Sequence, residues 1–298
     1  MTANPRVVII KGKGVWQFGK PDPKRLQLMV KKGLSLLHSS VDAASAVQNI
    51  FSLSDRVGIK INTIAGPRLS TSPALALSLV AVLSEGGLAE KNIIIWDRTN
   101  RELREAGYPL QTGRDRLKIF GTDAQGAGYE TEPLSFLNIG SLFSTILTNF
   151  VTASVSLAVL KDHGLAGVTA GMKNYFGAIH NPNKYHDNHC SPFVADLCAS
   201  PPIKTKHRLT ILDALMVQYH KGPSYHPRWA EPFERLVFGL DPVATDRVGW
   251  EIIEKLRAAK GLPSLKEEER APHYLQAAKE IGLGENDLSR IQLIEEEV

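Results

Sequence analysis

The residues best equipped for chemistry are crowded into one stretch, Lys161 to Cys190, which reads KDHGLAGVTAGMKNYFGAIHNPNKYHDNHC. Four of the nine histidines lie there: His163, His180, His186 and His189. A neutral imidazole ligates zinc, nickel, copper or iron, and it also titrates near neutral pH. With the Cys190 thiol beside them, His186 and His189 are the candidate metal ligands. The spacing matches no zinc motif, and the chain has neither HExxH nor CxxC. His163 and Lys173 are the candidate catalytic pair, an acid–base imidazole and an amine. Lys161 and Asn174 flank them as ligand-binding candidates. Gly164, Gly167, Gly171 and Gly177 let the backbone pack tightly around whatever these side chains hold.

Two further clusters fall where strands should end. Lys60, Asn62 and Thr63 close the apolar run RVGIKI and lead to Ser70, Thr71 and Ser72. Lys60 alternates with Ile59 and Ile61, so it must face an anion or carboxylate or reach solvent. The next apolar run, NIIIW, ends in Asp97 and Arg98. Open α/β sheets bind ligands beyond the carboxyl ends of their strands. Lys60, Asn62, Thr63, Asp97 and Arg98 are therefore candidates to position a carboxylate or phosphate. Gly12, Gly14 and Gly19 follow the first strand but miss the dinucleotide spacing, and no helix opens directly after them. They read as a turn, with a nucleotide site as the lesser reading. Asp213 closes LTILDAL, where it either joins the strand-end cleft or caps the next helix. Asp241 suits a helix N-cap, and Asp246 suits the positive end of the same helix.

The elements that must carry these residues alternate. Strands are expected at Arg6–Lys11, Arg56–Ile61, Asn92–Trp96, Leu117–Phe120, Ser154–Leu160, Leu209–Leu212 and Leu236–Phe238. Helices are expected at Pro23–Leu37, Val41–Leu53, Ala244–Lys260 and Tyr274–Ile281. A further helix over Ser72–Glu85 has Ser72 as N-cap, Pro73 in its first turn and Gly86-Gly87 as its stop. Residues 56–96 then form a strand–helix–strand unit, which favours parallel pairing with a right-handed crossover. Gly121–Thr131 is a polar, Gly-rich loop, and Gly177–Pro202 is the least regular long stretch. The fold class is α/β, a mixed or parallel sheet with flanking helices. It forms a single unit over 1–298, with 1–150 and 151–298 as candidate lobes.

Composition narrows the function classes. The 298 residues are 43% hydrophobic and 22% charged, which excludes bulk disorder. A net charge of +4 with scattered basic residues does not describe a nucleic-acid binder. No apolar run approaches the roughly 18 residues that span a bilayer. Two cysteines, Cys190 and Cys198, are too few for a disulfide framework. The start MTANPRVVII lacks the pattern of a signal peptide, so a cytoplasmic protein is expected.

Taken in order, VGIKINTIAG, IIIWDR, LKDHGLAGVTAGMKNYFGAIHNP, LTILDAL and GLDPVATDRVGWEII resemble an uncharacterised bacterial family, domain of unknown function family 362. The resemblance covers roughly residues 6 to 285. Some members of that family resemble iron–sulfur proteins, but this chain has too few cysteines for such a cluster. More remotely, HGLAGVTAGMKNYFGAIHNPNKYHDNH resembles the core of nickel-pincer lactate racemases. That resemblance implies an acid–base role for His163, a cofactor-tethering role for Lys173 and a metal-binding role for His189 after Asn188. It also implies substrate or cofactor contacts near Lys60 and Asn62. The racemases carry a second acid–base histidine after the third strand, where this chain reads Asp97-Arg98-Thr99-Asn100.

Residues and resemblance together give a leading expectation. The protein is an enzyme that binds a small anionic molecule in a strand-end cleft and transfers a proton or hydride. Nickel, iron or zinc, or an organic group tethered to Lys173, would assist. The alternative is a non-catalytic metal- or anion-binding protein or redox partner.

Overall fold

The computed structural model describes residues 4–298. Its centre is one sheet of nine strands. In chain order they are β1 (Arg6–Lys11), β2 (Val57–Lys60), β3 (Ile93–Asp97), β4 (Lys118–Gly121), β5 (Ala153–His163), β6 (Gly167–Thr169), β7 (His207–Gln218), β8 (Ala230–Gly239) and β9 (Gln292–Glu297). Their spatial order is β9-β1-β8-β7-β5-β2-β3-β4, with β6 paired to β5. The run from β7 through β5, β2 and β3 to β4 is parallel. β8 is antiparallel to both neighbours, and β6 folds back antiparallel on β5. Strands from both halves of the chain enter this sheet.

The strands read as continuous apolar runs because both faces are covered. On one face α1 (Pro23–His38), α2 (Ala43–Ile50) and α3 (Pro73–Glu85) pack on Val57, Ile59, Ile95, Val155 and Leu157. On the other, α5 (Phe193–Ala199), α7 (Pro242–Ala259) and α8 (Tyr274–Glu280) pack on Ile94, Trp96, Leu160 and Leu212. Two short helices, α4 (Asn100–Glu105) and α6 (Pro201–Lys204), complete the set.

The connectivity places the site. From β2 the chain steps outward to β3 and β4, then returns and lays β5 against the other side of β2. Successive connections therefore leave the β2 and β5 ends in opposite directions. That opens the crevice in which doubly wound sheets hold ligands.

Several elements differ from the sequence reading. β5 runs past Leu160 through His163, because Gly167, at φ +76°, turns β6 back to pair with Lys161, Asp162 and His163. β7 is 12 residues long, so Asp213 lies inside it and does not close it. The irregular stretch before Pro202 contains α5, whose apolar signal is only seven residues long. β9 (QLIEEE) is an acidic, mostly exposed edge strand held by β1, and its composition hides it. Among the described residues, no helix is long and apolar enough to cross a membrane.

Candidate functional site

A cavity of about 280 Å³ opens at the carboxyl ends of β2, β3 and β5. Nine of the twelve candidate residues line it: Lys60, Asn62, Asp97, Arg98, Lys161, His163, Lys173, Asn174 and His186. Glu102, Thr169, Phe176, Gly177, Pro182 and Asn183 complete much of the wall. At ~30 Å³ per water, the space holds roughly nine waters, so it suits a small molecule.

Its floor is a closed polar network. Lys60, 1% exposed, donates to Asp97 Oδ1 at 2.6 Å, Ile61 O at 2.7 Å and Asn174 Oδ1 at 3.1 Å. Those contacts use all three ammonium protons. Asp97 Oδ2 accepts from the Thr63 backbone at 2.8 Å and the Thr63 hydroxyl at 2.6 Å. Asn174 donates to Lys60 O and to Ser156 Oγ. Gly177 closes over this network, since a Cβ there would lie 2.8 Å from Lys60 Nζ. Lys60, Thr63, Asp97 and Asn174 thus brace one another. Their side-chain polar atoms are engaged within the protein, and Thr63 does not line the cavity.

The groups left facing the cavity are cationic or neutral. Arg98 pairs with Glu102 at 3.2 Å, and Lys60 pairs with Asp97, so each lining carboxylate already has its cation. Lys161 and Lys173 have no carboxylate partner among the described residues. Lys161 is wholly buried, and its one acceptor there is the neutral Asn62 Oδ1 at 3.1 Å. Burial drives its ammonium down to about 7. Burial likewise lowers Lys173 to about 8, with the neighbouring Cys190 opposing the change. Its Nζ sits 4.1 Å from the centre of the Phe176 ring and 3.2 Å from His186 Nε2. Roughly a tenth of Lys173 is therefore free amine at pH 7, the form that acts as base or nucleophile.

His163 takes a different part from the one expected. Its Nδ1 lies 3.2 Å from the backbone N–H groups of both Leu165 and Ala166, so Nδ1 accepts and Nε2 carries the proton. Burial, reinforced by Lys173, His186, Lys161 and Arg270, pushes it down to about 2. An imidazole held neutral in this way is a fixed hydrogen-bond donor, not a base poised near neutrality. His186 stacks on it, with ring centroids 5.7 Å apart. Its Nδ1 is 3.2 Å from Pro182 O, a carbonyl that can only accept, which leaves Nε2 as acceptor for Lys173.

Asp246 positions Lys173, a role the sequence reading missed. Its carboxylate accepts from Gly171 N at 2.8 Å and Met172 N at 3.0 Å, and it is fully buried. Burial raises the acid to about 7. Gly171 has no room for a side chain, since a Cβ would meet Thr210 Cγ2 at 2.3 Å. The signal was present in DPVATD, where an aspartate one turn into an apolar helix needs a partner from elsewhere. Asp241, by contrast, caps α7 through Val243 N and Ala244 N. Asp162 sits behind His163 and pairs with Arg270 at 3.0 Å, while Arg270 also donates to His163 O.

The proposed metal ligands do not converge. His186 lines the cavity, but Asn188, His189 and Cys190 take three successive left-handed conformations, φ +47°, +54° and +60°. That turn sends His189 away, with its Nδ1 3.2 Å from Leu165 O and its ring against His273. Cys190 is buried with Sγ 4.0 Å from His186 O, and burial raises its thiol. Among the described residues no three His, Cys, Asp or Glu side chains gather as a metal site. The donor set His186, His189 and Cys190 therefore does not fit a metal ion.

Fold and cavity define an open α/β protein with a lysine-lined crevice at the switch point of its sheet. The chain belongs to the family described as Domain of unknown function (DUF362), whose model matches residues 57–251. That span holds the candidate residues of the cavity. No curated protein matches the chain. A crystal structure of a protein from Thermotoga maritima is similar at 12% identity and a TM-score of 0.44, over 81% of this chain. The chain spans 60% of that protein's length.

Proposed function

We propose that this protein is an enzyme acting on a small carboxylate- or phosphate-bearing molecule held in the strand-end cavity. Lys161 binds the anionic group, the Nε2–H of His163 donates to a ligand oxygen, and the free amine of Lys173 attacks or deprotonates the adjacent carbon. The observation that carries this reading is Lys161. A wholly buried ammonium with one neutral partner is costly unless an anion joins it. An anion beside Lys161 restores the ammonium that burial otherwise lowers to about 7, and Lys173 supplies reactivity through the minor free-amine fraction it keeps with a value of about 8. The residues support amine chemistry better than metal chemistry, because the donors for a metal are scattered.

Trapping tests the proposal. A 2-oxo acid such as pyruvate offers a carboxylate and a carbonyl together. Condensation of Lys173 with the carbonyl forms a C=N bond and releases water, and borohydride reduces that bond to a stable amine. Intact-mass and peptide analysis should find the adduct on Lys173, suppressed by phosphate and absent in Lys173→Ala. Phosphate protection of the fold without any adduct from a panel of oxo acids would favour a binding protein. The neutral His163 already points to that second reading, since it leaves the cavity without an acid–base histidine.

A further inference from the structure

A second, larger cavity of about 730 Å³ shares no lining residue with the first. The connection after β2 contributes to both: Asn62 and Ile64 to the lysine cavity, and Pro67 to Ser70 to the larger one. Its walls are mostly apolar, with Gln17, Lys20, Asp22 and Arg68 also among the lining residues. Trp16 stands on the hairpin Trp16–Gln17/Lys20–Pro21 that follows β1, and Pro21, Pro67, Pro73 and Met216 are among the apolar residues of the wall. Phe18, at the hairpin tip, is fully exposed at the mouth.

The one buried charge in this apolar space is Asp213, 4% exposed. It accepts from Leu215 N at 3.1 Å and Ser72 N at 3.3 Å, and among the described residues no Lys, Arg or His lies within salt-bridge distance. A carboxylate has about four acceptor positions, so two remain. Burial raises the acid to about 6, which leaves it mostly ionised at neutral pH. The N-terminus of α3 is also here, but Asp213 already holds the Ser72 N–H and repels a phosphate. The buried charge here is a carboxylate where the lysine cavity has buried ammonium groups, and Lys20 and Arg68 line this cavity only as exposed side chains.

We propose that this cavity is a second ligand site, for a flat aromatic molecule bearing an amine or amidine-type N–H group. The ring system would lie between Trp16 and the proline wall, and the N–H group would bond to Asp213. The volume is within the range of ordinary small-molecule sites, about 300–1,000 Å³.

The test compares 2-aminoquinoline with 2-methylquinoline, a ring of the same shape with no N–H group, by calorimetry and ligand-observed NMR on the full chain at pH 8. The amine should bind at least about tenfold more tightly, the worth of a hydrogen bond to a buried charge. Asp213→Asn should erase the difference, and Lys173→Ala should leave it intact. Because Asp213→Asn also weakens the start of α3, Met216→Trp provides a second variant. It should fill the cavity and abolish amine binding while phosphate still stabilises the fold. Equal binding of the two probes overturns the proposal. So does unchanged amine binding in both cavity variants, loss of binding in Lys173→Ala, or no binding up to the solubility limit.

Discussion

Replacing Lys161 with methionine tests the electrostatics of the lysine cavity without removing much volume. Burial lowers this ammonium from 10.5 to about 7. Between those values the folded chain holds fewer protons than the unfolded chain, so stability rises with pH across the window. Below pH 7 the full cost of the buried charge is present, and it is relieved as pH climbs toward 10.5. At ~1.4 kcal/mol per pH unit, the gain from pH 6 to pH 9 is about 2.6 kcal/mol. Methionine carries no such cost and loses one hydrogen bond to Asn62. Lys161→Met should therefore be more stable than the wild type by about 3 kcal/mol at pH 6, and within about 1 kcal/mol at pH 9. Urea denaturation followed by circular dichroism, in buffers free of phosphate and carboxylate, measures both margins. Added phosphate should narrow the pH 6 gap by stabilising the wild type alone. A variant less stable than the wild type at pH 6, or a margin that ignores pH, would refute the reasoning. Lys161 would then be compensated in a way the cavity does not show.

Two further substitutions probe the supports. Asp246→Ala should leave the buried Gly171 and Met172 N–H groups without an acceptor, costing about 2–5 kcal/mol in urea denaturation at neutral pH. The same variant should slow adduct formation at Lys173, since the loop that carries the lysine loses its anchor. Lys60→Met should strip Asp97 of its ammonium and cost about 3–5 kcal/mol, again by denaturation. Adding Asp97→Asn should restore a large part of that loss. If the double variant is as unstable as the single one, the pair does not act as a unit.

Much of this architecture can be read along the chain, because alternating apolar runs and helix stop signals are local properties. Arg6–Lys11 is a strand of the sheet as its apolar pattern requires. The 56–96 unit pairs its two strands in parallel. Ser72 stands at the N-cap position of α3, yet its own side chain makes no capping bond there. The Ser72 N–H is taken by Asp213, 141 residues away, and no local pattern announces such a partner. β9 escapes for a similar reason, since its acidic residues describe an edge that only the neighbouring β1 makes into a strand.

The site divides in the same way. The types of Lys60, Asp97, Lys161, His163 and Lys173 and the strand-end positions of Lys60, Asp97 and Lys161 are sequence properties, and they point to a crevice through the general rule for open sheets. Their roles are not sequence properties. Lys60 and Asp97 neutralise each other 2.6 Å apart, while Lys161, two strands from Asp97, has no such partner. His163 is neutral because two backbone N–H groups and neighbouring cations meet it. His189, close in sequence to the others, is carried away by a left-handed turn. Charge, tautomer and reach depend on burial and on neighbours contributed by distant segments. Composition and spacing therefore nominate candidates by themselves, while tertiary packing alone decides which side chains brace the cavity, which face it and which, like His189, leave it.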